Sequence, residues 1–451
     1  MRAKQRTLLS LEQLEERRTP ATVQFVAGTL NVSPSPGEPA LTLLLQQTKA
    51  NTFQVTDNGK NDGTYGPVSN VNVTGGPGAD SITFDVDGLT YTGNLTINTG
   101  NGPSGITFDT VNITNSSGTA GRIGGNVSIL TGTGTPLVNV GVAGQLSIGG
   151  SVQISNPLAG GTLLTGNSGA ITQFGGNLNV SGFSNVELGD GEADTVGGSL
   201  TITNPNTTVP VFVQIGDNMI VNKNLSISEG NGADSIAIGQ ITVNGSTNVN
   251  VGSGADLIGV GIETSLGGTS ATFNGPVSVT AGSGNDLVAT GPFVTINGNV
   301  TVNVGSGTDS IQLSPNPAVL GSSVSIFGNV NVTAGSGSDS VLVDAALSGN
   351  LSMNLGNGND TVSVTTAPSG TFYLNAGNGA SSVTLGTPAA NSGSWFINFN
   401  FGTGSNSLTL GDGTAASTGT ISGFLNSQAN PLANTFNQGG WTIVPPWYQN
   451  F

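Results

Sequence analysis

From residue 66 onward, apolar and polar positions alternate in short runs separated by glycine-rich turns. Val300, Val302 and Val304 alternate with Thr301 and Asn303, which predicts a period-2 strand with one apolar face. A turn follows at Gly305-Ser306-Gly307-Thr308-Asp309, and Ile311 and Leu313 restart the alternation on a second strand. The same arrangement recurs over 70–84, 224–238, 246–260, 276–290, 329–343 and 350–364. In such turns glycine supplies positive φ without steric cost, and aspartate accepts hydrogen bonds from nearby backbone N–H groups.

Aligned on the residue after Gly-x-Gly-x, and allowing one extra residue in Gly189-Asp190-Gly191-Glu192-Ala193-Asp194, the copies put Asp80, Asp194, Asp234, Asp256, Asp286, Asp309, Asp339 and Asp360 in one register. Degenerate copies put Ser104, Pro136, Ser381 and Asn406 there. From Asp234 the intervals are 22, 30, 23, 30, 21, 21 and 25 residues. A period of this length marks a repeat architecture. A third strand and a looser loop fit within 21–30 residues, and no helical pattern intervenes, so βαβ crossovers are excluded. The expected fold is all-β: a parallel, right-handed β-helix of about 14 coils and about 65 Å. Asparagines at strand entries (Asn224, Asn299, Asn329 and Asn350) predict a stacked amide ladder along its axis.

The ends depart from the repeat. Leu8, Leu11 and Leu14 recur among Glu12, Glu15, Glu16, Arg17 and Arg18, which predicts an amphipathic helix over residues 1–21 that stops near Pro20. Its longest apolar run is Leu8–Leu9, too short for a conventional secretory signal. Leu11-Glu12-Gln13-Leu14-Glu15-Glu16-Arg17, followed by Pro20-Ala21, resembles the leader of large exported planctomycete surface proteins. That resemblance implies export or surface display; the alternative is a helix that caps the solenoid. Residues 22–65 are expected to form an irregular cap, 66–426 the solenoid, with its weakest periodicity over 137–223, and 427–451 an aromatic cap. Trp395, Trp441, Trp447, Phe396, Phe399, Phe401, Tyr448 and Phe451 are expected to seal the open core. Pro445 and Pro446 guard the final edge.

Composition narrows the function. The 451 residues include no Cys and no His, which excludes disulfides, thiolate chemistry and His-based catalysis. Nine Lys and Arg oppose 25 Asp and Glu, for a net charge of −16. Beyond residue 60 the only cations are Arg122 and Lys223, so no phosphate-tracking surface exists and nucleic acid is excluded as a partner. No apolar run reaches the 18 or so residues of a transmembrane helix.

The acidic residues carry the remaining chemistry. Gly75-Gly76-Pro77-Gly78-Ala79-Asp80-Ser81-Ile82-Thr83 resembles the nonapeptide of haemolysin-type calcium-binding repeats. The resemblance implies calcium, with Asp80, Asp234, Asp256, Asp286, Asp309, Asp339 and Asp360 as candidate ligands. Only one nonapeptide occurs per coil, whereas that family's sites use facing turns. The competing reading is that each aspartate caps its own turn through the glycine N–H groups. For catalysis, Arg122 and Lys223 are the only candidate bases of a lyase, and each lacks an acidic cluster nearby. Glu187, Asp190, Glu192 and Asp194 form the best carboxylate cluster for a glycoside hydrolase. Asp80, Asp85 and Asp87 form a weaker one. The first has no sugar-stacking Trp or Tyr close in sequence, and both are expected to be plain acidic turns. The expected protein is a secreted or cell-surface structural or adhesive β-solenoid, not an enzyme, with glycans or cell-surface components as partners and no cofactor unless calcium binds. A calcium-binding exported protein and a polysaccharide-active β-helix enzyme are the alternatives.

Overall fold

The computed structural model describes residues 21–100, 108–158, 160–166, 170–189, 194–204, 208–216, 218–262, 270–314, 322–387, 393–428 and 434–450. The leader-like segment lies outside them. No helix occurs among the described residues, and none is long and apolar enough to cross a membrane. The chain winds as a β-solenoid in which each coil contributes strands to successive parallel sheets. One coil runs Val300–Asn303 in the first sheet, Ser310–Leu313 in the second and Ser323–Ile326 in the third. The first sheet has 18 strands and the third 11.

Register follows from the alternation. Val277, Val300, Val330 and Leu351 stack in one row of the first sheet. Ile258, Val288, Ile311 and Val341 do so in the second. Val300, Val302, Val304, Ile311 and Leu313 all point inward and are buried, as their spacing requires. A one-residue slip would turn every one of these side chains to solvent, so the core fixes the pairing. The weakly periodic stretch 137–223 is also wound into coils, from Leu137–Val140 to Met219–Val221.

The two ends are built differently. In residues 22–65, expected to be irregular, five strands pair in antiparallel fashion before the stack begins. Thr22–Val26 pairs antiparallel with Thr29–Ser33, which runs parallel to Asn70–Thr74. Thr42–Lys49, Thr52–Asp57 and Lys60–Tyr65 form an antiparallel meander whose first strand runs parallel to Ser81–Asp85. Phe53, Phe84 and Tyr91 plug the core above it, with ring centroids 5.0–5.7 Å apart.

At the other end the third sheet stops at Ala346–Leu347. First-sheet strands then lengthen to 8 residues at Ser394–Phe401 and Thr420–Ser427. Aromatic packing fills the interior: Phe372 meets Phe399 at 4.7 Å and Trp395 meets Trp441 at 6.4 Å. Trp447 stacks on Phe436, whereas Phe396 faces outward and is exposed. The Tyr448 side chain and Phe451 lie outside the described residues.

Candidate functional site

The motif aspartate stands at the corner where the chain passes from the first sheet to the second. Asp309 follows the turn after Val300–Asn303 and immediately precedes Ser310–Leu313. Asp234, Asp256, Asp286, Asp309, Asp339 and Asp360 hold this corner in six consecutive coils, each no more than 2% exposed. Their carboxyls are therefore interior groups.

Nor do these six cap their own turns. Each Oδ1 accepts the backbone N–H of the corner residue one coil earlier. Val211 donates to Asp234 at 2.9 Å, Asp234 to Asp256 at 2.8 Å and Asp256 to Asp286 at 3.0 Å. Asp286 donates to Asp309 at 2.9 Å, Asp309 to Asp339 at 3.0 Å and Asp339 to Asp360 at 3.1 Å. Turn N–H groups are engaged elsewhere: Gly254 donates to Ser283 O and Gly284 to Ser306 O. Among the described residues, Asp80 alone of the motif aspartates binds its own turn, through Gly76 N–H at 3.0 Å, while also accepting Leu41 N–H at 2.6 Å. The result is a ladder in which one coil's side chain ties down its neighbour's backbone.

Two rungs differ from the sequence alignment. Ser104 lies outside the described residues, and Asp109 holds the rung beyond Asp80, accepting Asp80 N–H at 3.0 Å. Its Oδ2 accepts the Thr99 hydroxyl at 2.6 Å. The signal for Asp109 was its place just before the alternation of Thr110–Thr114. Asp194 belongs to another corner: it precedes Thr195–Val196 of the third sheet and accepts Thr172 N–H at 2.6 Å. Its spelling, Gly189-Asp190-Gly191-Glu192-Ala193-Asp194, carries one residue more than the Gly-x-Gly-x-Asp of the column.

Burial sets the electrostatics. It raises the Asp80, Asp256 and Asp360 carboxyls to about 6. Asp234, Asp286, Asp309 and Asp339 shift upward for the same reason. The backbone N–H bonds oppose the shift, and neighbouring carboxyls in the column add to it at Asp256, Asp286, Asp339 and Asp360. In all six, Oδ2 is buried without a hydrogen-bond partner. Glu229 points into the same region of the interior, where burial pushes it up to about 8 and Asp234 adds to the shift.

As a calcium site the column is sparse. It offers one carboxylate per coil, with one oxygen already taken by a backbone N–H, and no three acidic side chains converge among the described residues. The proposed hydrolase cluster is also dispersed in its described part. Glu187 lies on the outward side of Asn185–Leu188 and accepts from Asn185 Nδ2 at 2.8 Å, while Asp194 is buried. Asp190 and Glu192 lie outside the described residues. Asp85 fixes a corner by accepting Asp87 N–H and Ser116 N–H. Arg122 and Lys223 occupy exposed positions in and just after third-sheet strands.

The asparagines form a second ladder, of a different kind from the expected amide stack. Asn299 Oδ1 accepts Asn329 N–H at 2.8 Å, Asn329 accepts Asn350 N–H at 2.9 Å and Asn350 accepts Thr371 N–H at 2.8 Å. Asn224 accepts Ser246 N–H at 3.0 Å. Amide-to-amide stacking occurs instead on outward faces, as in Asn375 to Asn354 and Asn426 to Asn400. Beside that last series Tyr373, Phe396 and Phe424 are exposed. Comparison with protein-family models, with curated proteins and with solved structures finds no match to this chain.

Proposed function

We propose that this chain is a secreted or cell-surface rod that acts by shape and surface rather than by turnover, adhering to glycans or other cell-surface components. The observation that carries this reading is the outer face of the first sheet near its C-terminal end. There the exposed rings of Tyr373, Phe396 and Phe424 flank the amide series Asn354, Asn375, Asn400 and Asn426. Aromatic faces beside fixed amide donors and acceptors suit uncharged, hydroxyl-rich ligands. The leader-like motif supports export, and the long stack of coils suits a spacer that holds this face away from its attachment point.

Binding to immobilised neutral polysaccharides tests the reading. Retention is expected for the wild-type protein and is expected to fall in Tyr373→Ala/Phe396→Ala/Phe424→Ala, with an unchanged circular dichroism spectrum. Equal retention of both proteins would remove the adhesive face. Release of sugar fragments by the wild type would replace the rod reading with an enzyme.

A further inference from the structure

Asn406 reveals what the second branch of the ladder slot requires. It occupies the same corner two coils beyond Asp360, just before Ser407–Leu410, and is 1% exposed. Its Oδ1 accepts Ser381 N–H at 3.1 Å, as the aspartates do with their own neighbours. Its Nδ2 donates to the carbonyls of Gly404 at 3.2 Å and Gly402 at 3.4 Å in its own turn, and to Asn434 Oδ1 at 3.4 Å. The turns stack glycine on glycine through this position. A Cβ on Gly307, Gly337, Gly358, Gly379 or Gly404 would lie 1.3–2.2 Å from the carbonyl oxygen of the glycine one coil earlier. The aspartates hold the corresponding position: Gly305 and Gly307 precede Asp309 in the chain as Gly402 and Gly404 precede Asn406.

An ionised carboxylate cannot donate to those carbonyls. In six consecutive coils its second oxygen also has no protein partner and no solvent. The charged groups facing the column are all acidic: Asp256 sees Asp234 and Asp286, Asp286 sees Asp309, Asp360 sees Asp339, and Glu229 sees Asp234. A row of buried, unpaired like charges is strongly disfavoured against its neutral form. We propose that Asp234, Asp256, Asp286, Asp309, Asp339 and Asp360 are carried as neutral carboxylic acids. Each slot is then a proton-binding site whose O–H points at the glycine carbonyls of its own turn, and the ladder holds protons in place of a divalent cation. Asn406 and Ser381 fill the same corner as side chains that are neutral at any pH.

The upward shifts at all six sites agree with this assignment. A carboxyl whose folded pKa is raised contributes stability below about pH 4, and that stability is lost as pH climbs through the folded value. That value is about 6 for Asp256 and Asp360. The six titrate as a coupled set and not one by one.

The test uses the full chain and Asp286→Asn/Asp309→Asn/Asp339→Asn. Unfolding equilibria are measured from pH 4 to 8, with calcium and with chelator, and the protonated-carboxyl C=O stretch is followed by infrared spectroscopy. The wild type should lose stability as pH rises. The triple variant should lose much less and exceed the wild type at pH 8 by about tenfold or more in the folding equilibrium constant, the order of cost of one buried polar group left unsatisfied. Calcium should shift neither protein, and the carboxyl band at pH 5 should shrink in the variant. Because the net charge of −16 also favours acid conditions, the difference between the two proteins is the readout. Calcium stabilisation that vanishes in the variant would overturn the proposal in favour of a cation site. A variant weaker than wild type at every pH would overturn it in favour of an ionised ladder. Should the variant fail to fold, absence of the carboxyl band from the wild type at pH 5 would be equally decisive.

Discussion

At the residue scale, the turn glycines answer to space more than to backbone conformation. Gly284 has no positive φ, yet a Cβ there would lie 1.3 Å from Gly254 O. Backbone cannot retreat as a flexible side chain would, so Gly284→Ala should destabilise by at least about 1–3 kcal/mol. Gly118→Ala is the control: nothing lies within 4 Å of its Cβ and its φ is not positive, so it should be neutral or stabilise by about 0.4–1 kcal/mol. Denaturant midpoints of the two variants check this contrast. Glu229 supplies a pH-dependent case. It lies opposite Asn204 in the first sheet, with its carboxyl raised to about 8 by burial. Its contribution is therefore present at acid pH and is lost as pH rises through about 8. Glu229→Gln should match the wild type near pH 4, below the unfolded value of about 4.3, and exceed it near pH 9 by at least about 1.4 kcal/mol, read from denaturation at both pH values.

At the element scale, the strands themselves were plain in the sequence. Val300, Val302, Ile311 and Leu313 carry their burial in a period of two, and that signal is local. What the sequence hid depends on pairing between coils. Asp194, in Gly189-Asp190-Gly191-Glu192-Ala193-Asp194, is spelled with one residue more than Gly230-Asn231-Gly232-Ala233-Asp234 and stands at a different corner, fixed by the register of Thr195–Val196 against Ile171–Phe174. Asp109 lacks the glycine spelling and joins the ladder because Thr110–Thr114 lies beside Ser81–Asp85. The direction of the carboxyl bond was hidden for the same reason, since its donor lies 21–30 residues away. The antiparallel start of the cap likewise rests on contacts that no periodicity announces. Where the third sheet ends, buried rings replace its inward rows. Trp395→Ala should cost about 3–5 kcal/mol. Coils touch only their neighbours, so faster amide exchange should be confined to the end from Phe372 to Trp447 and leave Val300–Asn303 unchanged.

At the scale of the whole molecule, the two ladders run in opposite senses. An aspartate reaches back to the coil before it, as Asp309 does to Asp286, while an asparagine reaches forward, as Asn299 does to Asn329. A coil that belongs to both series, as that of Asn329 and Asp339 does, is gripped from both sides at two different corners. This gives the rod an arrow. When the chain is delivered N-terminus first, the coil already laid down holds out an empty amide acceptor that catches the next. The newcomer brings the carboxyl that latches the coil beneath. Each closure needs only the segment that has just arrived, so winding can keep pace with delivery, like a ratchet advancing one tooth per coil.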